Sequence, residues 1–315
     1  MSTVPSLSLL TTAMLSMQRK SWEQGLCLQA MLESGQDSVL VQLSQGCLQY
    51  VLEDGRPAML GDTHGVTDPC SCAPGLRRAA CLTSDPALET LCAHLDTYAM
   101  RLSPRSPEGL IYHITTAPEY WSDSLFMLPP MMIALDPREA LRQFFGWWAC
   151  LHQADTGLLA HRYNPMTGTF PDPLPWGGGN GWALSAMPGM AEMLPDSMEH
   201  EREKLKTAYL DLLDHVLFCL RPDDTFGDVL TEPDSFSEVN LCQMTAYSIF
   251  RAARMDWVGH EHLRIALRLR RCAHNHTDTY GIVHSVCGAP RFSTPGTSCE
   301  AQAFAILMES ALLSL

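Results

Sequence analysis

Apolar residues at helical spacing restart twelve times along the 315 residues, and this periodicity limits what the chain can fold into more than any other feature. It predicts helices near 6–17, 20–34, 37–53, 74–83, 86–103, 121–135, 137–153, 180–194, 199–220, 237–255, 260–273 and 298–314. Asp85-Pro86 and Asp136-Pro137 set a capping carboxylate before a proline at the first helical position, and Gly35 and Gly55 fall where helix ends favour a left-handed residue. Alternating short and long connections fit six helical hairpins closed into a double-layered toroid. An open solenoid shares the periodicity but calls for a fixed sequence repeat, and none is found. The fold expected is all-α: an (α/α)6 barrel with small β-hairpins in its loops, residues 1–315 forming one domain, and a ligand pocket at one end.

Four longer loops, 104–120, 154–179, 221–236 and 274–297, hold apolar and aromatic residues unusual for mere connectors. Within them, 110–115 and 281–293 read as β-hairpins.

Composition narrows the partners. With 46% hydrophobic and 18% charged residues the chain can bury a large core. A formal charge of −14 repels phosphate backbones and anionic lipid, so a small-molecule substrate is expected rather than nucleic acid or a membrane, with a homodimer left open. Residues 1–20 lack the basic start and cleavage pattern of a signal peptide. Together with twelve cysteines scattered over helix faces, among them Cys27, Cys47, Cys92, Cys150, Cys219, Cys242 and Cys272, this predicts reduced, buried thiols and a cytoplasmic protein. Neither His64, Asp68, Cys70 and Cys72 nor Cys272, His274 and His276 has paired metal-ligand spacing, so no metal or other cofactor is expected.

Four segments combine Trp, Gly and polar groups beyond what helix packing asks. They are Trp22-Glu23-Gln24-Gly25, Trp121 to Met127, His161-Arg162-Tyr163-Asn164, and Trp176-Gly177-Gly178-Gly179-Asn180-Gly181-Trp182. Asp123 can be read either as a helix-start residue satisfying free amides or as a pocket carboxyl, with Trp121 as the apolar wall a general acid needs. The tryptophan-flanked glycine run can be a ligand platform or a tight turn into a helix with buried indoles. It is not a phosphate loop, since the lysine and spacing of that motif are missing.

At these segments, together with Gln18 to Gly25, Gly281 to Pro290 and Pro295 to Phe304, the chain resembles the fungal branch of the six-hairpin glycosidases. It is similar there to the unsaturated rhamnogalacturonyl and glucuronyl hydrolases of glycoside hydrolase families 105 and 88. The resemblance implies hydration of an enol ether in an unsaturated uronic acid: a carboxyl protonates the double bond, water adds, and the hemiketal falls apart. It matches Asp123 to one of two active-site aspartates. The second, the proton donor, stands in a His-x-Tyr/Trp-Asp segment that here reads His161-Arg162-Tyr163-Asn164, and an amide has no such proton. At Gly178 the family carries an arginine to grip the uronate, so that cation is missing too.

Those two losses lead to a first reading as an enzyme that acts on a neutral or aromatic small molecule, a biosynthetic intermediate, by proton-assisted dehydration, cyclisation, addition or cycloaddition. Asp123, His161 and Asn164 are then the catalytic candidates, and Trp22, His113, Trp121, Tyr163, Trp176, Gly178, Asn180 and Trp182 the substrate contacts. A second reading keeps the uronyl hydrolase, with Asp155, Asp172 or Glu119 replacing the lost donor and Arg162 supplying the cation. A third is a non-catalytic carbohydrate-binding protein.

Overall fold

In the computed structural model, which describes residues 5–58 and 63–315, the capping signals act as expected. The carboxylate of Asp85 accepts from the Ala87 amide at 2.9 Å, and that of Asp136 from Arg138 and Glu139 at 3.0 and 3.1 Å. Gly35 and Gly55 take φ of 68° and 88°. The helices are α1 (Leu7–Met17), α2 (Ser21–Glu33), α3 (Asp37–Cys47), α4 (Ala73–Thr83), α5 (Pro86–Thr97), α6 (Ser124–Met127), α7 (Pro129–Met132), α8 (Pro137–Leu151), α9 (Gly177–Met193), α10 (Glu199–Phe218), α11 (Val239–Arg254), α12 (His260–Asn275) and α13 (Cys299–Leu313).

The departures have local causes. The helix expected over 121–135 is two short helices, because Pro129 has no amide to continue α6 and instead opens α7. Helix α3 stops at Cys47 because the chain folds back around Gly55, with the Leu52 amide donating to Arg56 and the Ala58 amide to Tyr50. Strand pairing also lies elsewhere than expected. Residues 110–115 and 281–293 make only single bridges, such as Arg105 to Ile111 and Val286 to Gly296. At Ile111 the amide donates to Gln143 Oε1 at 2.9 Å and the carbonyl accepts Trp147 Nε1 at 3.0 Å, so side chains of α8 take the groups a ladder needs. Strands form instead at β1 (Tyr120–Trp121), β2 (Arg162–Asn164) and β3 (Thr169–Asp172), an antiparallel sheet in that order.

The chain divides into two compact units. The larger comprises Met1–Met17, His152–His161 and Leu174–Leu315, the smaller Gln18–Leu151 and Arg162–Pro173. In the larger, α11 packs on α9, α12 and α13, and α13 on α1. Helices α9, α11 and α13 are buried nearly all round, and Tyr247, Phe250 and Phe304 are sealed from solvent, side chains worth about 1.5–3 kcal/mol each when fully buried. In the smaller, α2 packs on α3 and α4, and α4 on α5, while α8, with Phe144 and Trp147 sealed from solvent, packs on α6, α7 and β1.

All twelve cysteines are free thiols. Nine are buried, Cys150 and Cys219 are only half-buried, and Cys81 is exposed. No helix among the described residues is long and apolar enough to cross a membrane.

Candidate active site

The smaller unit gathers one group of candidates on and around β1 and β2. Register sets Trp121 opposite Arg162 and Tyr120 opposite Tyr163. The Arg162 guanidinium lies 4.8 Å over the Trp121 ring and pairs with Glu119 at 3.0 Å, and Trp121 Nε1 donates to the same carboxylate at 2.8 Å. On Trp121 stacks the buried ring of His113, centroids 4.4 Å apart. His113 Nδ1 is shared with the hydroxyls of Thr67 at 2.7 Å and Ser124 at 3.0 Å, and its Nε2 faces Asp68 at 3.6 Å.

Asp123 follows directly, half-buried at the start of α6, and its side chain makes no capping bond to that helix. The helix-start role that competes for this residue is therefore not the one it plays. Asn164 is half-buried at the end of β2. Its Oδ1 accepts from the Met166 and Thr167 amides at 2.9 and 3.3 Å, building the turn into β3. Of the three substitute donors, Glu119 is committed to Arg162, Asp172 stands across the sheet from that same arginine, and Asp155 is exposed in a turn of the larger unit. Trp22 is half-buried on α2, its indole 6.0 Å from the Lys20 ammonium. Gly25 nearby is needed for packing, because a Cβ there would come within 1.8 Å of Ser71 Oγ.

The larger unit holds the other group, built on the loop into α9. Trp176 is half-buried and extended, and its Nε1 donates to Asp228 Oδ1 at 3.0 Å while the His161 ring tilts against it at 5.0 Å. Gly178 is explained by that indole: a Cβ would fall 2.4 Å from Trp176 Cζ2, so the ring covers the place where a longer side chain would leave the backbone. Gly177 and Gly181 are equally tight, with a Cβ meeting the Gly227 carbonyl at 3.0 Å and Met244 Sδ at 2.6 Å. Asn180 is fully buried and directed at backbone. Its Oδ1 accepts from the Leu159 amide at 2.9 Å, and its Nδ2 donates to the Leu159 and Trp176 carbonyls at 3.1 and 2.9 Å. Trp182 is buried against Phe304, ring centroids 5.4 Å apart. Within this unit the structure thus brings His161, Trp176 and Gly178 together, while Asn180 and Trp182 serve the interior.

Sequence reasoning missed three residues here. Asp228, Glu238 and Cys287 each bring one polar atom within 4.8 Å of the others. Glu238 Oε1 accepts from the Asn240 amide at 2.8 Å, capping α11, and its Oε2 from the Cys287 amide at 2.6 Å. Burial is the main influence on both carboxyls. It lifts Asp228 to about 6, against the lowering effect of the Trp176 bond, and Glu238 to about 8, against the Cys287 and Asn240 amides. Burial also pushes the Cys287 thiol well up. Glu238 is thus held by two backbone amides, and burial favours the protonated form of all three groups. The signal for it lay in the apolar loops 221–236 and 274–297, which supply Asp228 and Cys287.

Residues 8–294 match the family model described as Glycosyl Hydrolase Family 88. Among solved structures, the chain is similar to a possible member of glycoside hydrolase family 105 from Salmonella enterica serovar Paratyphi A, at 20% identity and a TM-score of 0.82, over 94% of this chain and 83% of that one. A family 105 glycoside hydrolase from C. acetobutylicum gives 16% identity and a TM-score of 0.81, over 98% and 99% of the two chains. An unsaturated glucuronyl hydrolase specific for heparin gives 11% and 0.72, over 97% and 94%. Among curated proteins, none matches. These likenesses show the fold, the six-hairpin (α/α)6 class that the helix spacing predicts.

Proposed function

Since the chain belongs to glycosyl hydrolase family 88, we propose that it hydrolyses oligosaccharides ending in an unsaturated uronic acid, by hydration of the enol ether. A carboxylic acid delivers a proton to the carbon–carbon double bond. Water adds to the oxocarbenium carbon and gives its own proton to a carboxylate, and the hemiketal opens to release the remaining sugar. Asp123, two residues after Trp121, is the carboxylate that takes the proton from water. One observation carries this reading: Asp123 stands at a helix start without capping it, inside a family match that runs through residues 8–294.

The test is incubation with unsaturated uronyl disaccharides while following loss of the enol-ether absorbance in the ultraviolet. Turnover is expected, and Asp123→Asn lowers kcat by about 10²–10⁴-fold, the range for a positioned acid or base. A wild-type protein inert across such disaccharides contradicts the proposal.

A second reading, a neutral or aromatic substrate, draws on a specific observation. The Trp176 ring occupies the space over Gly178, so an aromatic surface stands where the resemblance expects the arginine of a uronate clamp. Turnover of unsaturated uronyl disaccharides counts against it. Family membership and the solved relatives favour the hydrolase.

A further inference from the structure

We propose that Cys272 and Cys242 form an oxidation site: a peroxide converts Cys272 to a sulfenic acid, and Cys242 closes it into a disulfide that joins α12 to α11. Both cysteines and the groups around them belong to the larger unit, and the site asks nothing of the hydrolase reaction.

A histidine follows a cysteine by one helical turn where α12 ends, and the helix end decides which way the ring's proton points. His276 is the C-cap residue of α12, and its Nδ1 lies 3.0 Å from the Cys272 carbonyl oxygen and 3.8 Å from the Cys272 sulfur. A carbonyl oxygen only accepts, so Nδ1 carries the hydrogen and shares it with the sulfur. The unsatisfied carbonyls of a helix end also favour a positive ring there. From the other side comes Cys242 of α11, the helix packed on α12. Its thiol hydrogen-bonds to Cys272 and also reaches the Asp224 carbonyl at 3.5 Å. Two donors thus converge on the Cys272 sulfur, an arrangement that stabilises the thiolate, the form that attacks peroxide. The proton affinities run the same way. The Cys242 thiol first, and then the His276 ring, lower that of Cys272 against burial and the Asp223 carboxylate, while the bond to Cys272 raises that of His276.

Access orders the two steps. Cys272 keeps 5% of its surface open and Cys242 none, so a small oxidant meets the first sulfur and the second reacts only with what forms there. The Cys272 thiolate attacks one peroxide oxygen, the O–O bond breaks, and the departing hydroxide takes the His276 proton to leave as water. Cys272, oxidised by two electrons, is then a sulfenic acid. The Cys242 sulfur attacks it, the S–S bond forms, and the sulfenic oxygen leaves with the Cys242 proton as a second water. Another close pair, Cys47 and Cys72 in the smaller unit, lies in the opposite setting. Both thiols are sealed from solvent, the Cys72 S–H points at the Ser21 carbonyl at 3.7 Å, and Cys47 raises the proton affinity of Cys72 instead of lowering it.

The test is treatment of the reduced wild-type protein with hydrogen peroxide at neutral pH, followed by quenching, alkylation under denaturing conditions and peptide mass mapping. The expected first product is a Cys242–Cys272 disulfide, reversed by dithiothreitol, while Cys47 and Cys72 stay open to alkylation. In Cys242→Ala the intermediate has no partner, so Cys272 is labelled by dimedone, the sulfenic acid reagent. His276→Leu removes the ring's hydrogen and slows disulfide formation by about threefold or more. The proposal is overturned if Cys47–Cys72 or any other pair closes first, if Cys272 stays reduced when the exposed Cys81 is already oxidised, or if His276→Leu reacts at the wild-type rate. The mapping of the wild type decides by itself should a variant fail to fold.

Discussion

Two carboxylate clusters, one in each unit, treat their acidic side chains in opposite ways. In the smaller, carboxylates lie against guanidinium groups: Glu119 with Arg162, and Glu139 with Arg105 and Arg142. For Glu139 burial pulls upward, but hydrogen bonds from Arg142, Gln143 and Arg105 outweigh it and hold the group down at about 2. In the larger, Asp228 and Glu238 face an indole, a thiol and backbone amides, and burial lifts them to about 6 and about 8. The difference teaches that burial alone does not set the charge state; what the carboxyl is buried against does. One environment favours the anion and the other the protonated carboxyl.

The largest effect that bears on this contrast is at Glu238. Glu238→Ala leaves the Asn240 and Cys287 amides without their acceptor, and a loss of about 2–4 kcal/mol in denaturant unfolding is expected. Its charge carries a pH signature as well. The folded chain holds the Glu238 proton up to about pH 8 and an unfolded chain releases it near 4.5, so the folded state binds the proton more tightly between those values. Stability accordingly declines as pH rises across that window, and Glu238→Gln removes this part of the slope.

Gly178→Ala comes next. The added methyl would lie 2.4 Å from the Trp176 ring, which must swing away and give up its bond to Asp228. A cost of about 1–3 kcal/mol and a changed tryptophan emission are expected, and an unchanged spectrum would separate the glycine from the Trp176–Asp228 bond. Smallest is Arg162→Ala in the other unit. Its side chain is 32% exposed, and an ion pair of that exposure contributes under about 1 kcal/mol to thermal stability.

Much of the fold could be read from the chain, because helix caps are local. Asp85, Asp136, Gly35 and Gly55 act within a few residues of themselves, so their roles follow from neighbours in sequence. Where expectation failed, a distant partner decided. Ile111 lies in an apolar run that reads as strand, yet Gln143 and Trp147 of α8 take its backbone groups. The site divides along the same line. Trp121, Arg162 and Tyr163 stand out as aromatic and charged residues close in sequence, and the sheet brings them together. Asn180 and Trp182 share a string with Trp176, but a helix turns them toward the interior. Asp228, Glu238 and Cys287 come from loops and a helix start up to 59 residues apart, where no spacing rule links them; long-range bonds, from the Cys287 amide to Glu238 and from Trp176 to Asp228, bring them together.

The contrast between the units can be measured directly by carboxyl-carbon NMR titration of protein labelled at aspartate and glutamate. Two resonances should titrate with midpoints near 6 and near 8, the first vanishing in Asp228→Asn and the second in Glu238→Gln. If every carboxyl in the protein released its proton below about pH 5, as unperturbed ones do, burial would not be lifting Asp228 and Glu238 and the contrast would fail.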